Sequence, residues 1–376
     1  MLSVPARSLG SPLPATTADI QIQARMPFLD GIRGLAIVLV MLYHAYVRWP
    51  ALVPYHDRFQ TFPLFAQGWI GLPLFFLLSG YLIARTLCRC RSITEFYVRR
   101  WSRLFPAMLI CSLFLYLTAP LVPERPAGRP DLLSLLPGLT FLDESWWSKL
   151  LGIPVHGLEG SFWSLYTEAK FYVLAALLYF GLGRRALCLG LSVAFLLGAL
   201  VWLLVHPLRV TSLAPIDRLV TQLSLLNFGW FAAGSMWFFH AHEQNRARWL
   251  SALAWILCAA SALVWAELAP AGVASALLIS LLFVLAQQNQ TVQRVLSHRL
   301  LLYFGLVSYP LFLLHENLLI ALLVKLAPTV PSMLWPLLPI PIALGLSLLA
   351  YPIARYLEPP AERLLRTRLL TPRVGS

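Results

Sequence analysis

Charge is what this sequence has least of. Of 376 residues, only 12% are Asp, Glu, Lys or Arg, about half of the roughly 25% carried by a soluble domain. That shortage excludes a soluble enzyme, a secreted disulfide scaffold and a disordered regulator, since none could keep so apolar a chain in water. Acid is scarcer than base, 16 residues against 29, which leaves a net charge of +13. Lysine is nearly missing, with only Lys149, Lys170 and Lys325, so the basic set is almost wholly arginine. A pI near 9.9 would suit a nucleic-acid partner, but there is no soluble domain to hold a duplex and none is expected. The arginines read instead as positive charge on the cytoplasmic side of a membrane protein. Five cysteines lie scattered in or beside apolar runs, and Cys88-Arg89-Cys90 has neither metal-ligand spacing nor a partner pair. Neither a disulfide framework nor a zinc site is expected. Eight histidines show no paired spacing except His240-x-His242 at a helix end, so no metal site of any kind is expected. Proline and glycine, 28 and 21 residues, follow no collagen or linker period. Before residue 34 there is no long apolar core, so residues 1–27 are not a cleavable signal peptide and read as a disordered cytoplasmic leader.

What is abundant is apolar length. Hydrophobic residues make up 59% of the chain, and its mean hydropathy is +0.72. With about 20 apolar residues needed per crossing, spans are predicted at roughly 32–50, 68–87, 104–122, 163–182, 186–206, 219–240, 248–268, 271–288, 301–325 and 334–357. The stretch Asp131–Leu142 is too short to cross and is expected to lie at the interface or re-enter. The prediction is an all-α polytopic membrane protein of about ten transmembrane helices. It forms one domain over 28–366, with a cytoplasmic tail at 367–376 and no soluble appendage. With the N-terminus inside, the inner segments hold twenty Lys and Arg and the outer loops eight. Both termini are therefore expected in the cytoplasm. The longest outer loop, between the third and fourth spans, carries five acids (Glu124, Asp131, Asp143, Glu144, Glu159) and interface tryptophans (Trp146, Trp147, Trp163).

Ionisable groups inside apolar spans are costly unless they have a partner or a task, so they mark the candidate site. Arg33 and His44 are eleven residues apart. At about 100° per residue they share one helix face, with His44 about 16 Å further along. That suits an anion held at the cytoplasmic mouth and a base deeper in; it equally suits an interfacial Arg and a hydrogen-bonded buried His. Ser79-Gly80 is a small pair that lets a helix or ligand approach, and Ser79 lacks the strand–turn–helix setting of a nucleophile. Arg100 and Arg103 share a helix face at the cytoplasmic start of the third span, which suits a polyphosphate or simply sets topology. Glu168 and Lys170 are two apart and cannot face each other on a helix, so each needs a partner elsewhere. Ser308-Tyr309-Pro310 and His315-Glu316 put a proline break, a His and a Glu inside the ninth span, with His315 toward its outer half.

Taken together and in order, these segments resemble the bacterial integral-membrane acyltransferase family 3, of O-acetyltransferase type. The resemblance rests on Leu-Asp-Gly-Ile-Arg-Gly-Leu with Arg33 and, ten residues between, His44. It continues through Phe-Phe-x-x-Ser-Gly-Tyr-Leu-Ile at 75–83, the arginine segment at 96–106 and Trp-Ser-Leu-x-x-Glu at 163–168. Ser-Tyr-x-x-x-x-x-His at 308–315 and Tyr-Leu-Glu-Pro-Pro at 356–360 complete it. It implies transfer of an acetyl group from cytoplasmic acetyl-CoA, the acyl donor, to a hydroxyl of an extracytoplasmic or lipid-linked glycan such as an exopolysaccharide or O-antigen, in the bacterial inner membrane. It also implies that His44, Arg33 and Glu168 are catalytic and that Arg100 and Arg103 hold the donor. Ser79, Trp163, Ser308, Tyr309 and His315 become candidates for substrate contact or relay. His315 and Glu168 are expected on the outer side, near the acceptor. The rival from another class is a transporter or flippase of a glycan or small metabolite; within the family, a small hydroxylated metabolite is an alternative acceptor.

Overall fold

A computed structural model describes residues 26–242 and 248–370. Ten long helices carry the chain, with no strand among the described residues: α1 (Pro27–Tyr43), α2 (Gly71–Leu87), α3 (Ile93–Thr118), α4 (Trp163–Leu182), α5 (Arg184–Val205), α6 (Phe228–His242), α7 (Arg248–Trp265), α8 (Pro270–Gln288), α9 (Arg299–Leu326) and α10 (Pro339–Pro352). Through a π-helical turn at Ile353–Leu357, α10 runs on into α11 (Glu358–Leu370). The leader predicted over 1–27 lies outside the described residues except for Met26 and Pro27, which already cap and open α1. Of the predicted tail, residues 367–370 belong to α11 and the rest lies outside the described residues.

Among the described residues, nine helical segments are long and apolar enough to cross a membrane. The span predicted at 219–240 is the exception and needs correcting. A short helix closes at Gln222, the chain turns through Ser224 at φ 58°, and α6 starts at Phe228. Its 15 residues cover about 22 Å, short of the roughly 30 Å hydrocarbon core. Every residue from Phe228 to Phe239 is buried, with α2, α5 and α7 packed around it. A helix sheltered by protein does not have to match lipid thickness, because its ends meet protein groups and not hydrocarbon.

Helix direction shows that α6 still crosses. Along α1 and α9 the contacts advance together: Gly31 meets Leu296, Gly34 meets Leu301 and Gly305, and His44 meets His315. The two helices therefore run in the same direction. Six of the candidate spans separate them in sequence, an even number that would set them antiparallel, so with those six crossing α6 must cross as well.

Two glycine-mediated contacts form the frame. On α1, Gly31 and Gly34 lie against the backbone of Leu296 and Leu301, while Gly305 of α9 lies against the carbonyl of Asp30. Likewise Gly80 of α2 lies on Phe231, and Gly234 of α6 on Leu77. Small residues let backbones touch where no hydrophobic effect drives helices together. Apolar side chains such as Leu117 and Leu182, 70% and 75% exposed, face outward where lipid would lie. The segment Asp131–Leu142 does not cross: it forms a short helix, Leu135–Thr140, whose Gly138 sits on Ser112 and Met108 of α3.

Candidate active site

Between α1, α2, α3, α4, α9 and the start of α11 lies a cavity of about 410 Å³. Arg33, Arg100 and Arg103 line it and also line a second space of similar volume at its mouth, which adds Arg85, Arg89, Arg99 and Arg366. Local sequence puts them there. Ser92 caps α3 by accepting from the Glu95 N–H at 3.1 Å, and Glu95 pairs with Arg99 one turn on at 2.5 Å. That fixes the register of the first turns and leaves Arg100 and Arg103 on the cavity side. Seven guanidiniums meet only two carboxylates here, Asp30 and Glu362. Arg33 donates to Asp30 at 3.1 Å. Arg100 donates to Thr86, lies over the Tyr172 ring, and keeps a buried Nε with no partner. Among the described residues Arg103 has no hydrogen bond or ion pair. Like charges crowded into a partly dry mouth repel, and a polyanion would relieve that.

Deeper in the cavity stands Glu168. It lines the same space as Arg33, Arg100 and Arg103, and its hydrogen bonds are to hydroxyls. Its Oε1 accepts from Ser79 Oγ and from Tyr172 OH, the latter at 2.6 Å, so the carboxylate is fixed within the arginine-lined space. Lys170, as its spacing requires, turns away to Asp143 at 2.7 Å. Ser308 and Tyr309 also line the cavity. Their hydroxyls donate to the carbonyls of Gly305 and Leu104, at 2.8 and 2.9 Å. Trp163 does not line it: the ring is 42% exposed and packs near Trp265 and Phe76.

Past the inner end of the cavity is a second cluster. The α-helical part of α1 ends at Tyr43, and a π-helical turn, His44–Arg48, follows. His44 at its start faces His315 of α9, with His315 Nε2 3.3 Å from His44 Nδ1. Glu316 Oε1 is 3.6 Å from His44 Nε2 and accepts from Trp49 Nε1 at 3.1 Å. Between the two clusters stand two rings. Phe75 and Phe312 both line the cavity, their centroids 6.0 Å apart, and Phe312 is 5.3 Å from His315.

A model of the acyltransferase-domain family matches residues 26–355 of this chain. The chain belongs to that family. It is 26% identical over 165 residues to the peptidoglycan O-acetyltransferase OatA of Listeria monocytogenes, covering 40% of this chain and 23% of that protein. Over 149 residues it is 26% identical to the O-acetyl transferase of Shigella phage Sf6, covering 39% and 43% of the two chains. It is also 29% identical over 163 residues to the putative peptidoglycan O-acetyltransferase YrhL of Bacillus subtilis, covering 40% and 23%. The matched segments thus span less than half of each of these relatives. No solved structure matches.

Within this acyltransferase-family fold, the residues picked from sequence divide into two groups. Arg33, Arg100, Arg103, Ser79, Glu168, Ser308 and Tyr309 gather in the arginine-lined cavity, whereas His44 and His315 meet beyond the phenyl rings. Several neighbours were missed. Tyr172 is one turn after Glu168 and could have been found by that spacing. Glu358 and Glu362 bring acid to the cavity from α11; they stand one turn apart at its start, a pattern visible in the closing Glu-Pro-Pro segment. Glu316 was singled out in the sequence as an acid inside an apolar span, but without a role. Phe75 and Phe312 gave none, since a phenylalanine in a span is ordinary.

Proposed function

We propose that this chain is a membrane O-acyltransferase that moves an acetyl group from cytoplasmic acetyl-CoA to a hydroxyl of an extracytoplasmic or lipid-linked glycan. The observation that carries this reading is the two-ended site. An arginine-lined cavity sits at one end of α1, and a histidine pair lies about 16 Å further along the same helix. In this reading the arginine end faces the cytoplasm of a bacterial inner membrane, as the twenty-to-eight bias of basic residues supports. The donor's phosphates lie against Arg33, Arg100 and Arg103, while its thin pantetheine arm passes Glu168 and brings the thioester to Phe75 and Phe312. Beyond them His44 either takes the proton of the acceptor hydroxyl as general base, or accepts the acetyl group and passes it on. The names of relatives, peptidoglycan O-acetyltransferase among them, support a glycan as acceptor.

The test is the acetyl content of surface polysaccharide, measured by NMR in cells lacking the chain and in cells complemented with it. Acetyl groups are expected to vanish on deletion and return with the gene. Intact acetylation with failed polymer export would replace the enzyme with a transporter. A second expectation concerns the donor end. Arg103→Gln removes one charged hydrogen bond, worth about 1.5–3 kcal/mol. It should raise the KM for acetyl-CoA about 10- to 100-fold with kcat changed less than about twofold, read from initial rates of radiolabel transfer in membranes.

A further inference from the structure

The carboxylate of Glu316 stands beside the histidine pair, yet the acyl-transfer reading above gives it no task. The hydrogen-bond geometry of the pair defines one. Each ring holds its Nδ1 2.8 Å from a backbone carbonyl, Val40 for His44 and Phe312 for His315. A carbonyl only accepts, so Nδ1 carries the hydrogen on both rings. His315 Nε2 is then a second acceptor for the His44 Nδ1 hydrogen, at 3.3 Å. The one nitrogen of the pair left to take up a proton or an acyl group is therefore His44 Nε2. Facing it, at 3.6 Å, is Glu316 Oε1. That is longer than a direct hydrogen bond, and close enough for a counter-charge that leaves Nε2 open to a reactant.

Glu316 is held there from several sides. Trp49 Nε1 donates to the same Oε1 at 3.1 Å. The other oxygen, Oε2, is buried with no hydrogen-bond partner, and Gly160 passes so close that a methyl group there would fall 2.8 Å from it. The other polar neighbours do not neutralise it. Glu159, in the loop before α4, is itself a carboxyl, pushed well above the usual range by burial and then by Glu316, so it brings no positive charge to the pair. Arg125 is committed to the carbonyls of Leu115 and Leu158. Tyr43 meets the His44 ring only edge-on, 5.6 Å between centroids. A carboxylate so buried and incompletely paired inside a span is costly, and a cation formed on His44 would offset that cost.

We propose that Glu316 is the positioning residue of His44: it orients the ring and supplies the anion beside the cation that His44 becomes. The inference rests on the acyl-transfer reading, and it holds for both of its routes. As a base, His44 takes the acceptor's proton on Nε2 while the new C–O bond forms and the C–S bond breaks; the proton then goes to the thiolate sulfur. As a nucleophile, Nε2 forms the C–N bond as C–S breaks; the acceptor oxygen then forms C–O as C–N breaks, and its proton again ends on the thiolate. Either way the ring is cationic midway, an imidazolium or an N-acylimidazolium.

The experiment compares wild type, Glu316→Gln, Glu316→Asp and Gly160→Ala in membranes supplied with radiolabelled acetyl-CoA and the host's surface glycan, with thermal melting of each purified protein. Gln keeps the size and the bond from Trp49 but removes the charge; it should lower kcat about 100-fold or more with the donor KM and melting temperature near wild type. Asp, which keeps the charge, should recover at least about tenfold of that loss. Gly160→Ala keeps the charge but displaces it and should lower kcat about tenfold. The inference is overturned if Glu316→Gln keeps kcat within about threefold of wild type. It is equally overturned if kcat, KM and melting temperature fall together and Asp rescues none of them, which marks a packing role. A wild-type protein that transfers no label overturns the acyl-transfer reading and this inference with it, a result distinct from a working wild type with an indifferent Glu316→Gln.

Discussion

His44→Ala should abolish detectable acetyl transfer, with kcat falling by about 10²- to 10⁴-fold, the range for removal of a positioned acid–base group. The donor KM should stay near wild type, because the arginines that would hold the phosphates lie at the other end of α1, about 16 Å away. Stability should change little. The ring is only part-buried, its side chain 14% exposed, and its removal costs hydrogen bonds worth about 1 kcal/mol each. Rate, KM and melting temperature measured on one preparation check all three. The same variant also separates the two chemical routes. If His44 carries the acetyl group, wild type incubated with labelled donor and no acceptor should retain label after denaturation, and His44→Ala should not. If His44 is a base, neither protein should retain it. The expectation fails if the alanine variant turns over at more than about a tenth of the wild-type rate.

Gly34→Val should be strongly destabilising. The side chain it introduces would strike the Leu301 carbonyl and the Gly305 nitrogen. These are backbone atoms of α9, which cannot rotate aside as a side chain would. Overpacking in a core typically costs about 1–3 kcal/mol, and a backbone clash at a helix–helix contact should reach at least the top of that range. Gly305→Val, which strikes the Asp30 carbonyl from the other side, should behave alike. Neither residue touches the reacting atoms. Both should nonetheless lose activity, because parting α1 from α9 separates His44 from His315 and tilts Arg33 out of the cavity. Thermal unfolding in detergent and expressed yield check this; a melting temperature unchanged within error would refute the packing argument. Gly345→Val is the control, since a Cβ added there meets nothing within 4 Å.

Much of this arrangement was legible in the residues, and the parts that were not have physical causes. The common face of Arg33 and His44 follows from helical period alone, and so does the turning of Arg100 and Arg103 to one side. The bounds of the span at 219–240 were wrong because hydropathy measures composition, not surroundings. A helix wrapped in protein is as apolar as one wrapped in lipid, and Gln222-Leu223-Ser224 turns without the glycine or proline that signals a turn. From sequence, Glu168 is placed only by its position near the start of its helix. What decides its place is Ser79, 89 residues earlier, and no local pattern reports a partner so distant. The neighbourhood of His44 was hidden for the same reason: α1 and α9 are far apart in sequence and become one unit only through their glycines.

The phenyl pair at the end of the cavity has an electrical consequence. On one side of it lies the arginine-lined mouth, and on the other the histidine pair; on the proposed topology these face opposite sides of the membrane. Any thread of water joining the two would conduct, and each charge crossing the membrane dissipates about 2.3 kcal/mol per 100 mV. Phe75 and Phe312 are thus the insulation of the molecule as well as its inner wall. On the proposed acyl-transfer route they would have to part for something as slim as an acetyl thioester and reseal against something as small as a proton. Evolution of a wider passage, for a bulkier acyl group, would be limited by leakage before it was limited by chemistry.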